Sequence, residues 1–355
     1  MKYIHVGAGN WGLTWVKGII PRNKDIAECV AVVDIVPEYL KNAETHLGLP
    51  PEKCYIDLDK ALSENKVDFV TIAASIPAHE AIVDTVLKYG CHILSEKPLA
   101  HDLAACCRMY DAVKAAGIKF AVTMSHRYGK NKQSFESILK SGMYGKINYI
   151  MGRIHMARSK WRPPTTPGRP ERPMEYILID GGCHNIDMMR AFSGSNAEKV
   201  YADIWNFDLG EEKRSGRNAF VQMEMESGTR TFIEYSFNGP YQLNGWSGEY
   251  FRAECENAMI ELDGTKLTVR SHDGYPIPEY AEIPLLDGDK WNHDLLMMEF
   301  VEWISGGEAP AVTIDDNMYS MAAMFSAVES FKTGNPVIVK EFWEKQWHDR
   351  RNAYE

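Results

Sequence analysis

Apolar residues come in short, nearly continuous runs through the first third of the chain and in longer, alternating runs through the rest. Tyr3 to Val6, Cys29 to Val33, Val67 to Ala74, Ile93-Leu94 and Lys119 to Met124 read as strands buried on both faces, with Tyr55-Ile56 a shorter one. Helical patterns lie between them. Leu13 to Ile20 is stopped by Pro21, and Pro37 to Leu47 is closed by Gly48. Leu58 to Ser63 is short, Ala78 to Tyr89 is closed by Gly90, and Asp102 to Ala116 has Gly117 just past its end. Strictly alternating strands and helices predict a doubly wound parallel sheet that ends near Met124.

The texture changes after a linking helix, Gln133 to Ser141. Ile147 to Met156 reads as a long strand, Arg158 to Pro173 as a loop rich in proline and basic residues, and Ile177 to Phe192 as a helix. Strands then follow without intervening helices: Val200 to Phe207, Ala219 to Met225, Thr231 to Phe237, Tyr250 to Glu256, Ala258 to Leu262 and Leu267 to Val269. Their alternation predicts a large, open, mostly antiparallel sheet with one covered face, and such sheets often cover the other by dimerising. Late helices, His293 to Ile304 and Asn317 to Lys332, are expected to fold back on this second domain or on the domain junction. The expected organisation is α/β, with domains 1–124 and 125–355.

Length and charge agree with this picture. A chain of 355 residues exceeds what one hydrophobic core usually serves. The formal net charge of -10 disfavours a nucleic-acid or anionic-membrane surface. No apolar run approaches a membrane span, and the N-terminus enters a strand without a signal-like segment, so a cytoplasmic protein is expected. Seven scattered cysteines, none in a Cys-x-x-Cys pair, read as reduced thiols and not as a zinc site, so no metal is expected.

Gly7-Ala8-Gly9-Asn10-Trp11-Gly12 stands between the first strand and the first helix. In that context Gly-x-Gly-x-x-Gly is the dinucleotide fingerprint of a Rossmann domain: glycines for the tight turn, for close approach of a pyrophosphate, and for helix–strand packing. Helix amides then hold the phosphates. Asp34 ends the second strand roughly twenty residues on, where a carboxylate accepts the ribose hydroxyls of NAD and repels the 2′-phosphate of NADP. A solvated strand-end aspartate is the alternative.

Two further constellations carry chemistry. Ile93 to Pro98 begins as a buried strand and ends in Glu96-Lys97-Pro98, which places Lys97 on a stiff turn at the carboxyl end of a parallel strand, where such sheets bind ligands. A surface Glu–Lys pair closing the strand is the alternative. In Ile179 to Asp187, Asp180 and His184 are four residues apart and share a helix face, with Asp187 on the same side. The adjacent Gly181 and Gly182 cost about 1 kcal/mol each inside a helix, so either something approaches that backbone closely or the helix begins there. A carboxylate one turn from an imidazole can orient it as a general base; Asp180 as a helix cap is the simpler reading. Oxidising a secondary alcohol needs a hydride acceptor, a base for the hydroxyl proton and a cation beside the developing oxyanion. His184 and Lys97 can supply the last two.

With these residues in place, the chain resembles the Gfo/Idh/MocA family of glucose–fructose oxidoreductase, inositol dehydrogenase and relatives. The resemblance rests on the glycine motif, Glu96-Lys97-Pro98, Arg127-Tyr128 in place of the usual Arg-Phe, Asp180-x-x-x-His184, and the closing pattern His293, Gly307, Asp315. It implies a Rossmann domain plus an open-faced α/β domain, a tightly held NAD, and catalytic roles for Lys97, Asp180 and His184. It also implies a cofactor site lined by Gly7, Gly9, Asn10, Trp11, Gly12, Asp34 and Ile35, then Ala74, Ser75, Ile76 and His79, and then Glu96, Lys97 and Arg127. Ser75-Ile76-Pro77 departs from the more usual Thr-Pro-Asn.

The family's ligands are polyols and sugars. Arg158, Lys160, Arg162, Arg169 and Arg172 crowd one loop and point to a carboxylate, a phosphate or a derivatised sugar, or else to a solvated or subunit-bridging loop. Trp161 is the expected ring-stacking residue, and His155 and Tyr176 are further substrate candidates beside Lys97, Arg158, Asp180 and His184. The reading is an NAD-dependent sugar or inositol dehydrogenase, expected as a homodimer or homotetramer through its second sheet. The alternatives are a redox-cycling enzyme that cleaves or epimerises a glycoside through a transient ketosugar, and a non-catalytic sugar or NAD sensor.

Overall fold

In the first sheet, β1 (Lys2–Val6) pairs with β2 (Glu28–Val33) on one side and, across the sheet centre, with β4 (Phe69–Ile72) on the other. With β3 (Cys54–Tyr55), β5 (His92–Ser95) and β6 (Phe120–Val122) the order is β3-β2-β1-β4-β5-β6, and all the pairs are parallel. This is the doubly wound order whose direction reverses beside β1. The computed structural model describes residues 1–157, 173–206, 216–271 and 280–352.

Local chemistry sets the helices of this unit. Asp57 and Asp102 cap their helices by accepting the backbone N–H of Lys60 and Ala105, and Gly117 closes Leu103–Ala116 in the left-handed region. Pro21 does not stop the first helix as expected. The helix passes through a π turn, Trp15–Ile19, and continues over Ile20–Arg22. The side-chain amide of Asn23 donates to the Ile19 carbonyl there, at 2.8 Å, and so takes over an acceptor at the disturbed turn. The core stacks Tyr3 on Phe69, with Phe300 set edge-on to Phe69. Phe300 comes from the late helix His293–Ile304, because residues 290–318 group with residues 1–125 as one compact unit. The Val122 N–H donates to the Val312 carbonyl, and Ala121 bridges Thr313 at the β6 edge.

The second unit, residues 126–289 and 319–355, is built on nine strands. These are β7 (Ile147–Ala157), β8 (Ala197–Trp205), β9 (Asn218–Met225), β10 (Arg230–Gly239), β11 (Tyr250–Cys255), β12 (Ala258–Asp263), β13 (Lys266–Ser271), β14 (Tyr280–Ile283) and β15 (Val337–Ile338). Their order is β14-β13-β12-β11-β7-β10-β9-β8-β15. The pair β7–β10 is parallel, which strand alternation alone does not disclose; the other pairs are antiparallel. Alternation sets the two faces. Ile150, Ile154, Val221, Ile233, Tyr235 and Phe251 are buried on the helix side, where Phe135, Phe192 and Phe251 meet edge to face or tilted. Gly152 lets this face come close to the helices: a Cβ there would fall 2.6 Å from the Met189 methyl. The opposite face carries Tyr201, Trp205 and Phe232, whose rings each meet that of Phe220.

Candidate active site

The glycine loop follows β1 directly. Gly7 has φ +101°, and a Cβ there would fall 2.6 Å from the Ala73 carbonyl oxygen. A Cβ on Gly12 would collide with the Gly7 carbonyl, so turn and helix are packed backbone on backbone. The Asp34 carboxylate accepts the N–H of Ala8 at 2.7 Å through one oxygen and that of Val36 at 2.9 Å through the other. Each oxygen takes one backbone donor, which leaves acceptor capacity on both for a ribose diol. Ile35, 85% exposed, offers an apolar surface beside it. A loop that excludes Cβ atoms beside a strand-end carboxylate fits NAD.

Lys97 is half-buried at the carboxyl end of β5. Two strand spacings separate β5 from β1, about 10 Å, so Lys97 shares the sheet edge with the glycine loop. Its neighbour Glu96 is 4% exposed. The Trp15 indole donates to Glu96 Oε1 at 2.8 Å, His293 Nε2 lies 3.2 Å from the same oxygen, and the Lys97 N–H donates to Oε2 at 3.3 Å. Burial by itself raises this carboxyl. The hydrogen bond and charge of His293, the charge of Lys97 and the Trp11 indole outweigh burial and bring the pKa down to about 2. The His293 ring lies tilted against Trp11 at 6.0 Å and edge-on to Trp15 at 5.7 Å. His5 stacks on Trp15, is 2.8 Å from the Thr71 hydroxyl, and is pushed down to about 4 by burial.

His79 is fully buried, with Nδ1 3.2 Å from the Leu99 carbonyl and Nε2 3.3 Å from that of Ala74. Burial lowers its pKa, so the neutral ring donates to one carbonyl at a time. It braces the Ala74-Ser75-Ile76 loop against the turn that follows Lys97. Ser75 is exposed, and Ala74 and Ile76 are half-buried.

In the second unit the expected helix splits in two. Ile177–Gly182 is a π turn, and the α-helix proper is Cys183–Ser193. Both expectations about the paired glycines are met: the regular helix begins just after them, and side chains close on their backbone. A Cβ on Gly181 would fall 2.5 Å from the Trp246 indole, and one on Gly182 would fall 3.3 Å from the Tyr235 hydroxyl. Asp180 is half-buried in the π turn and His184 is 6% exposed in the first α turn. Single π turns inside helices often accompany functional sites.

Four residues around His184 escaped the sequence reading. The His126 ring stacks on that of His184 with centroids 4.1 Å apart and planes 10° from parallel, and Trp246 meets His126 edge-on. His126 Nδ1 lies 2.9 Å from Glu249 Oε1, and Lys132 Nζ is 2.6 Å from Oε2. Glu249 is 0% and Lys132 1% exposed. Burial raises the Glu249 carboxyl, but His126 and Lys132 hold it far below the usual range. Asp187 turns to a different set: the Ser320 hydroxyl at 2.8 Å, Arg127 at 3.5 Å and Arg190 at 3.7 Å.

Among the other expected residues, Tyr176 is half-buried at the start of the π turn. His155 sits on the sheet face opposite Tyr235, with Nε2 3.8 Å from Glu234, so the structure does not bring it to His184. Arg158 and Trp161, with the rest of the basic loop to Arg172, lie outside the described residues. Among the described residues no helix is long and apolar enough to cross a membrane.

Three comparisons bear on this arrangement. An uncharacterized protein of Sinorhizobium fredii is 32% identical over 352 residues, covering 96% of each chain. Myo-inositol 2-dehydrogenase of Thermotoga maritima is 24% identical over 331 residues, 89% of this chain and 92% of that one. The crystal structure of an oxidoreductase from Agrobacterium radiobacter in complex with NAD+, L-tartaric acid and magnesium superposes with a TM-score of 0.81 at 20% identity, over 96% of this chain and 99% of that chain. Fold, glycine loop and strand-end carboxylate together define an NAD-binding oxidoreductase with a Rossmann domain. Residues 1–124 match the family model described as "Oxidoreductase family, NAD-binding Rossmann fold", and residues 133–270 match the "GFO/IDH/MocA C-terminal domain". The chain belongs to the Gfo/Idh/MocA family.

Proposed function

We propose that the protein moves a hydride between NAD and a secondary hydroxyl of a polyol, a sugar or a sugar derivative. The observation that carries this reading is Lys97 at the carboxyl edge of the same parallel sheet as the glycine loop, two strands away. Bound NAD supplies the hydride acceptor. The Lys97 ammonium stabilises the alkoxide oxygen as it forms, the His184 imidazole takes the hydroxyl proton, and Asp180 holds neighbouring hydroxyls and the imidazole. Myo-inositol 2-dehydrogenase as a relative supports a cyclic polyol. The tartaric acid bound to the Agrobacterium protein supports an anionic one, as do Arg158, Lys160 and Arg162 in this chain. A polyol and sugar screen with NAD and NADP, on wild type and Lys97→Ala, tests the reading. NADH formed by wild type and lost in the variant is the expected result; turnover that survives in Lys97→Ala refutes it. Within that screen, Arg158→Ala and Arg162→Ala raise KM for an anionic substrate.

The stacked pair of His126 and His184 favours one further reading, a redox cycle that breaks or epimerises a glycoside, because such a cycle needs two proton transfers. Product formed without net NADH marks that route. The aromatic cluster on the outer face of β8, β9 and β10 supports a homo-oligomer, which sedimentation tests. A cytoplasmic location completes the proposal.

A further inference from the structure

We infer that His293 is a positioning residue for Lys97: it acts through the buried carboxylate of Glu96, and the aromatic box of Trp11, Trp15 and His293 exists to hold that carboxylate beside the lysine. This rests on the reading above, in which Lys97 handles the substrate oxygen.

The carboxylate of Glu96 is almost wholly withdrawn from water, and a buried charge needs counter-charge and donors. Its donors come from three parts of the first unit. Trp15 belongs to the helix after the glycine loop, His293 opens the late helix, and the Lys97 N–H is its own neighbour. A carboxylate that served only to fill the core would be replaced at no loss by an apolar residue. Here it collects an imidazole, an indole and the catalytic turn.

The backbone is an independent observation. Among the described residues three that are not glycine have positive φ: Asn10, Ser247 and Asn292. Asn10 (φ 47°, ψ −115°) immediately precedes Trp11, and Asn292 (φ 56°, ψ −127°) immediately precedes His293. Neither is in the ordinary left-handed helical well. The two rings that follow these strained positions are in contact at 6.0 Å. Strain of this kind persists where the surroundings over-determine it and clusters at functional sites. The chain is bent twice, at two sequence-distant places, to bring these rings together over Glu96.

The charges fix what the box does. Glu96 stabilises the Lys97 ammonium, and His293 shares the carboxylate with it, so the imidazole limits how strongly the acid grips the lysine. Removing the acid and removing the imidazole therefore have opposite effects on the amine. A box that merely packed would loosen in both cases and expose the lysine in both.

The test is reductive methylation of the full-length protein at pH 8, quantified at Lys97 by peptide mass spectrometry, with the other lysines as internal standards. It needs neither substrate nor turnover. Glu96→Gln is expected to label faster at Lys97, roughly tenfold for a change of one pKa unit in the amine. His293→Phe, which keeps a ring between the two indoles, is expected to label roughly threefold more slowly. Equal or faster labelling in His293→Phe overturns the inference. Should Glu96→Gln fail to fold, the sign in His293→Phe decides alone. Wild type that turns over no polyol while the two labelling signs hold would sink the proposed reaction and leave the box standing.

Discussion

The imidazole of His126 lies flat on that of His184, 4.1 Å between centroids, and is held from behind by the wholly buried carboxylate of Glu249. A ring fixed at Nδ1 forms a wall that sets the plane of the next ring. His126→Ala removes the wall and lets His184 turn. Misplacing a catalytic group by an ångström costs on the order of 100-fold. The expected result is a kcat lower by roughly 10–100-fold with KM for NAD unchanged, read in steady-state assays in which the two parameters are separated.

Asp34 accepts two backbone N–H groups of its own unit, and in the proposed reading it also takes the cofactor's ribose hydroxyls. Asp34→Ala strands both amides and takes away the ribose partner. NAD affinity is expected to fall about 10- to 100-fold, as loss of a charged hydrogen-bond acceptor implies. Asp34→Ser also removes the repulsion of a 2′-phosphate and narrows the preference for NAD over NADP. Quenching of tryptophan fluorescence by NADH and NADPH measures both.

Lys132 and Glu249 form an ion pair with almost no solvent on either side. Removing one partner leaves a buried charge, with a penalty of about 3–5 kcal/mol. Lys132→Met is therefore expected to be severely destabilised in urea, and Lys132→Met/Glu249→Gln to recover part of the loss. Losses that simply add in the double variant would show that the two side chains do not act as a pair.

Acid should weaken the first unit in two windows. An unfolded imidazole takes up a proton near 6.5, whereas native His5 refuses it until about 4, so stability falls as the pH drops between those values. An unfolded glutamate protonates near 4.5, whereas native Glu96 stays ionised to about 2, so a second loss follows as the pH drops from 4.5 toward 2. Each window is worth up to about 3 kcal/mol. His5→Gln flattens the upper window and Glu96→Gln the lower, as read from thermal unfolding against pH.

What was legible in the sequence was what is local. The glycine loop, the Glu96-Lys97-Pro98 turn and the Asp180–His184 spacing each lie within about one turn of backbone, so a short string of residues fixes their geometry. Gly181 and Gly182 even signalled a close approach, although not that Trp246 and Tyr235 would make it. His126, Lys132, Glu249 and Trp15 were illegible for the opposite reason, and His293 stood out only as part of the family's closing pattern, not as a partner of Glu96. Trp15 meets Glu96 from 81 residues away and His293 from 197, and no periodicity marks such partners. His155 misled because a strand carries candidate side chains on both faces, and only the pairing of β7 with β10 shows which face is which.

The nucleotide-binding unit is not finished when its last strand has been made. Residues 290–318 supply Phe300 against Phe69, His293 against Glu96 and Thr313 against the β6 edge. On the ribosome, eight of the nine strands of the second sheet are synthesised before these pieces arrive, so the first third of the gene specifies a module that waits for a later segment. Anyone transplanting the Rossmann half into another protein must therefore carry the distant tail with it, and a graft cut at residue 124 leaves Glu96 buried without its imidazole.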